Sequence, residues 1–274
     1  MMILAYPFTL SALALCLLLT GVLSFFGYHV VRRGVIFVDL ALAQVAALGA
    51  SIGIMSGLGE QHPTENFLLS LAFTLLGAIL FSWFRGRSKL PIEALIGVTY
   101  AGAMAFSLIV LEKSATGSEE LKEMLVGSIL TVSPGALGLA AALSVGVGLL
   151  LWLAHKPLFM VTEDAQAARD RGLKLWVWDF LFYTAFGVIV TYSVRVAGVL
   201  LVFAFLIVPS LASILAVSGT WRRVAFGWGF GTVGCVLGLE ASLRLDWSAG
   251  PTIVATFILL LVAVGVFSKL RGRG

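Results

Sequence analysis

Runs of about 20 apolar residues recur from one end of this 274-residue chain to the other, and nothing else in the sequence constrains its fold as strongly. A helix of roughly that length crosses the ~30 Å hydrocarbon core of a bilayer, and inside lipid the backbone must satisfy its own polar groups, which helices do. The polar gaps between the runs are too short for a soluble domain. With 60% of its residues apolar and only 12% charged, the chain lacks the polar surface of a water-soluble globule. The expectation is an all-α, polytopic transmembrane bundle of about eight to nine spans, forming one domain over residues 1–274. Nine spans are read, at about 6–28, 35–55, 67–84, 92–111, 136–153, 176–194, 199–217, 224–242 and 252–268.

The formal charge of +4 could suggest a nucleic-acid partner, but its placement points to a membrane. Of the 18 Lys and Arg, 14 fall in alternate loops: Arg32 and Arg33; Arg85, Arg87 and Lys89; Lys156, Arg169, Arg171 and Lys174; Arg222 and Arg223; Lys269, Arg271 and Arg273. By the positive-inside rule those loops are cytoplasmic, so the chain starts outside and ends inside. The N-terminus lacks a basic n-region and cleavage site, so the first span is expected to be retained. Cys16 and Cys235 both fall within spans and read as buried free thiols. There is no Gly-rich, Lys-Ser/Thr nucleotide loop, so any energy source must come from elsewhere.

Within this bundle Asp39 is the residue to explain. The stretch Val31–Gly53 reads as one apolar helix starting at the two arginines, with Asp39 one to two turns in. A carboxylate in a membrane helix costs up to roughly 3 kcal/mol on insertion scales and faces protein or water. Two readings stand: a pair with a nearby arginine, or a substrate pathway. Arg33 is beyond the i,i+4 spacing for pairing, and Gln44 lies about 140° round the helix from Asp39. Glu93 suits the positive end of span four and Tyr100 can bond within the bundle, although both are also pathway candidates. Glu240 and Arg244 have the spacing of an ion pair. Pro209 should kink span seven, and Gly227, Gly231, Gly234 and Gly238 should let span eight pack closely. His29, His62 and His155 fall in loops or at span ends, which leaves no three-histidine zinc site within the bundle. No nucleophile with a mid-span histidine can be assembled either, which disfavours an intramembrane enzyme. A stretch at 118–130 reads as a short surface helix. Thr162–Arg171 reads as an exposed helix capped by Thr162, with Glu163 and Asp164 at its positive end and Gly172 as its stop.

Four segments resemble the membrane subunits of ABC transporters that import zinc, manganese or iron. They are GYHVVRRGVIFVDLALAQVAALG; EALIGVTYAGAMAFS with MLVGSILTVSP; EDAQAARDRG with RVAGVLLVFAFLIVPSLASILA; and LDWSAGPTIV. The resemblance implies a homodimeric permease in a bacterial-type inner membrane, with cytoplasmic ATP-binding subunits and an extracytoplasmic metal-binding protein as partners. The cargo would be a divalent metal, bare or chelated, taken past Asp39, and ATP would be used by the partner subunit, with no covalently bound cofactor. Glu163, Asp164, Ala168 and Gly172 correspond to the coupling helix that seats in the ATPase. One departure matters: the family's histidine four residues after the aspartate is replaced by Ala43, beside Gln44. That loss leaves room for manganese, iron or a chelate. From the residues alone, a stand-alone cation channel or proton-coupled carrier remains the rival.

Overall fold

The computed structural model describes residues 7–58, 62–85, 91–112, 127 and 129–270, and every regular element among them is helical. Nine of these helices are long and apolar enough to span a membrane. They are α1 (Pro7–Arg33), α2 (Val38–Met55), α3 (Pro63–Phe84), α4 (Ile92–Leu111), α5 (Pro134–Leu153), α8 (Leu175–Ala197), α9 (Val199–Ala216), α10 (Thr220–Leu245) and α11 (Ala249–Leu270). Two short helices, α6 (His155–Glu163) and α7 (Ala165–Asp170), fill the basic loop between α5 and α8. The helix expected at 118–130 lies largely outside the described residues, and Ile129–Thr131 forms a 3-10 turn.

The stretch Val31–Gly53 is two helices, not one. α1 continues through both arginines, whose positive charge suits its C-terminal end. Gly34 then takes φ +65, a left-handed conformation that costs a side chain about 1–2 kcal/mol. The chain turns there, with Val38 N–H on Val35 O at 3.1 Å, and α2 starts afresh. Asp39 is therefore in the first turn of α2, where the helix dipole favours a negative charge.

The chain divides into two compact units. One takes Met1–Val31, Leu125–Gly146 and Arg195–Gly274; the other takes Arg32–Met124 and Val147–Val194. In the first unit α9, α10 and α11 pack on one another, and the glycines of α10 set the distance. A Cβ on Gly238 would stand 2.7 Å from Ile253 Cα of α11, and one on Gly231 would stand 2.8 Å from Thr20 Cγ2 of α1. The small-residue spacing thus works as expected. α9 runs unbroken through Pro209, with Ser210 Oγ donating to Leu206 O at 2.9 Å.

In the second unit α2 packs on both α3 and α4 and is buried along nearly its whole length. A Cβ on Gly77 of α3 would stand 3.1 Å from Leu42 Cδ2, and one on Gly49 of α2 would stand 2.9 Å from Ser70 Cα. Small residues on both helices thus bring the two backbones together. Thr74 and Thr191 share a hydrogen bond of 2.8 Å that joins α3 to α8.

Candidate functional site

Asp39 is 2% exposed. Its carboxylate stands in the first turn of α2, and Oδ1 is buried with no hydrogen-bond partner. The arginine-paired reading of Asp39 is therefore not what the structure holds. A buried carboxylate without a compensating charge is costly, so this oxygen is suited to receive a cation. Ala43, at 2% exposure, and Gln44, at 7%, are buried further along the same helix. Among the described residues no group of three or more His, Cys, Asp and Glu side chains is placed to hold a metal ion.

On α4 the buried side chains Ile96, Ala103, Ser107 and Leu111 recur at helical spacing. Glu93 and Tyr100 continue that stripe by position, but Glu93 is exposed in the first turn and Tyr100 is half-buried. α4 packs against α2. No hydrogen bond or ion pair joins Glu93 or Tyr100 to Asp39. Elsewhere, Glu240 and Arg244 form the expected ion pair at 2.8 Å. His29 lies near the C-terminal end of α1; it is fully buried, with its ring 4.8 Å from that of Phe25.

The expected exposed helix at Thr162–Arg171 is broken in two. Asp164 leaves the helical conformation at φ −146, ψ 92, and its side chain accepts the N–H groups of Gln166 and Ala167 at 3.0 and 2.9 Å. Asp164, not Thr162, is the N-cap, because its carboxylate reaches the free donors of a new first turn. At the other end Gly172, φ +79, donates to Arg169 O at 2.8 Å while Leu173 N–H reaches Ala168 O at 3.0 Å. This pair of bonds satisfies the last carbonyls of the helix and makes Gly172 the stop that was expected. Ala168 departs from expectation. It is fully buried, so its methyl group anchors α7 to its own chain, and the exposed face is made by Gln166, Arg169 and Asp170.

A further cluster fastens this segment to the spans. Arg33 Nη1 donates to Asp179 Oδ1 at 2.8 Å, Arg33 Nε donates to Thr162 Oγ1 at 2.9 Å, and Arg85 Nη1 donates to the same Asp179 oxygen. The Arg33 guanidinium also lies over the Phe182 ring, 4.1 Å from its centroid. Arg32 pairs with Glu163. The side chains of Arg33 and Asp179 are 0% and 2% exposed, against 43% and 35% for Arg32 and Glu163. The C-terminal ends of α1 and α3, which carry positive charges that the loop asymmetry puts on one side, thus meet Asp179 in the N-terminal part of α8. Sequence reading passed over Asp179, although an aspartate inside WVWDFLFYTAFG carries the same intramembrane signal as Asp39.

Residues 5–268 match the ABC 3 transport family. The chain belongs to that family. It is accordingly a permease subunit of an ABC transporter, a multi-pass protein of the bacterial inner membrane and a transport component that does not itself carry out the catalysis. Membership does not favour the stand-alone channel or proton-coupled carrier. The chain is 23% identical over 267 residues to the manganese import system permease protein ScaB of Streptococcus parasanguinis, covering 97% of this chain and 93% of that one. It is 22% identical to the high-affinity zinc uptake system membrane protein ZnuB of Haemophilus influenzae, covering 97% and 98%. Among solved structures it resembles PsaBC from Streptococcus pneumoniae in complex with Fab, with a TM-score of 0.81, 22% identity, and coverage of 98% of this chain and 97% of that one. That likeness establishes the fold.

Proposed function

We propose that this permease conducts a divalent transition metal inward past Asp39 by alternating access, with the whole chain acting as one transport domain. The observation that carries the reading is the buried Asp39 Oδ1 with no hydrogen-bond partner, on the helix packed between α3 and α4. Manganese and iron fit the donors better than zinc. Asp39 and Gln44 offer oxygen, and Ala43 withholds the imidazole nitrogen that a borderline-soft ion prefers. A chelated ion, carrying ligands of its own, would need still less from the pathway. Glu93 and Tyr100 line the approach along α4 as secondary contacts.

In this reading two copies pair in the membrane, a metal-loaded extracytoplasmic protein delivers the ion, and two ATP-binding subunits attach on the basic side. Glu163, Asp164 and the exposed face of α7 meet the ATPase; Ala168 and Gly172 keep that helix in place and in shape. The test is metal-dependent ATPase activity of the reconstituted complex with manganese, iron and zinc, for wild type and Asp39→Ala. Stimulation by one metal, abolished in Asp39→Ala with assembly intact, is the expected result. Equal stimulation in both would return Asp39 to a structural role.

A further inference from the structure

The two arginines at the end of α1 do more than mark the orientation of the chain. They are consecutive, and both reach into the α6–α7 segment: Arg32 holds Glu163, the last residue of α6, and Arg33 holds Thr162 beside it. Only the turn Gly34–Phe37 separates them from α2, and Asp39 is six residues beyond Arg33. Val35 in that turn and Val38 at the start of α2 are both fully buried, so the turn is packed into the unit. Arg33 is in turn fixed from behind by Asp179 of α8, which also accepts from Arg85 at the end of α3.

From this geometry we infer that Arg32 and Arg33, with Asp179 as their anchor, are positioning residues that tie the motion of the coupling segment to the helix bearing Asp39. The inference rests on the transport reading above for α7 and Asp39. Its physical basis is stiffness. A side chain with two separate partners and a stacked ring has little rotamer freedom left, so a shift of Thr162 and Glu163 is passed to the α1–α2 turn, not absorbed by a flexible contact. The path runs from the segment that meets the ATPase, through two guanidinium groups, into the first turn of α2.

The variants that isolate the link are Thr162→Val, which keeps shape and removes the acceptor of Arg33 Nε, Arg32→Gln, and the two combined. Arg33→Lys keeps the charge beside Asp179 but loses the planar fork that lets one side chain hold two partners. The complex is reconstituted with its ATPase and binding protein, and two quantities are read. One is metal moved per ATP hydrolysed. The other is the response to ATP and vanadate of a fluorophore on Phe37→Cys, at a position that is 52% exposed just before α2; the chain's two native cysteines are buried. The expected result is a fall of at least threefold in both quantities for the double variant, with normal assembly, and a similar fall for Arg33→Lys. A purely structural role would lower the amount of assembled complex and leave both quantities unchanged per complex, which overturns the inference. Should Arg33→Lys fail to assemble, the Thr162→Val and Arg32→Gln variants decide. Should the wild type move no metal while its label still responds to ATP, the cargo reading fails. The label then decides the link by itself: a diminished response in the variants supports it and a full response overturns it.

Discussion

Removing the Asp179 carboxylate should be among the most damaging single changes in this chain. In Asp179→Ala the Arg33 guanidinium, whose side chain is 0% exposed, loses the carboxylate it is paired with among the described residues, while Arg85, at 19%, can turn toward water. Breaking a buried ion pair from one side costs about 3–5 kcal/mol, because a charge is left buried without compensation. The Arg32–Glu163 pair provides the internal contrast. At 43% and 35% exposure it is largely screened, and Arg32→Gln should cost about 0–1 kcal/mol. Both variants and the wild type would be heated in detergent and the surviving monodisperse fraction read by gel filtration. At about 2–4 °C per kcal/mol for a chain approaching this size, Asp179→Ala should lose on the order of 10 °C and Arg32→Gln only a few degrees. A third variant separates the cost of breaking the cluster from the value of having it. Arg33→Met, Arg85→Met and Asp179→Leu together replace the cluster with apolar groups of comparable volume, and such replacements are often neutral. This triple change should recover most of the lost stability, yet it should not recover the metal moved per ATP. An Asp179→Ala variant that melts with Arg32→Gln would refute the assignment of a buried, mutually dependent cluster.

Three other outcomes follow from the geometry. Gly238→Ala, whose Cβ would stand 2.7 Å from Ile253 Cα, should lower stability in the same heating assay by about 1–3 kcal/mol because backbone cannot yield as a side chain does; Gly97→Ala on α4, with open space around it, should be neutral or slightly stabilising. Gly172→Ala meets no atom but must hold φ +79, at about 1–2 kcal/mol, so it should reduce co-purification of the ATPase, and Gly172→Asn should reduce it less. Ala43→His restores an imidazole one turn from Asp39 and should move the metal preference of stimulated ATPase activity toward zinc; an unchanged preference would mean that this position does not face the ion.

What could be read from the sequence was local. The spans, the small-residue spacing of α10 and the glycine stop of α7 depend on neighbours three or four positions away, and hydropathy and residue type report them directly. A break between spans one and two was expected at Arg32 and Arg33, but the reading of Val31–Gly53 as one helix from the arginines put it too early: α1 runs through both arginines and the turn falls at Gly34–Phe37, which only a backbone angle marks. That difference moved Asp39 from one to two turns inside a helix to its first turn. The candidate site was half legible, since Asp39 stood out by its charge but the burial of Oδ1 without a hydrogen-bond partner is a fact about three dimensions.

Asp179 makes the same point from the other side. Asp39 and Asp179 are equivalent as letters, each an aspartate near the start of an apolar span. The partners of Asp179 lie 146 and 94 residues earlier in the chain, beyond the reach of any periodicity argument. Folding separates the two carboxylates: one receives two guanidinium groups, and the other is buried with Oδ1 unpartnered. The two arginines that could have neutralised Asp39 are turned away from it, toward Asp179 and Glu163. That choice of partners leaves Asp39 Oδ1 without a hydrogen bond and at the same time fastens the residues just before α2 to the α6–α7 segment.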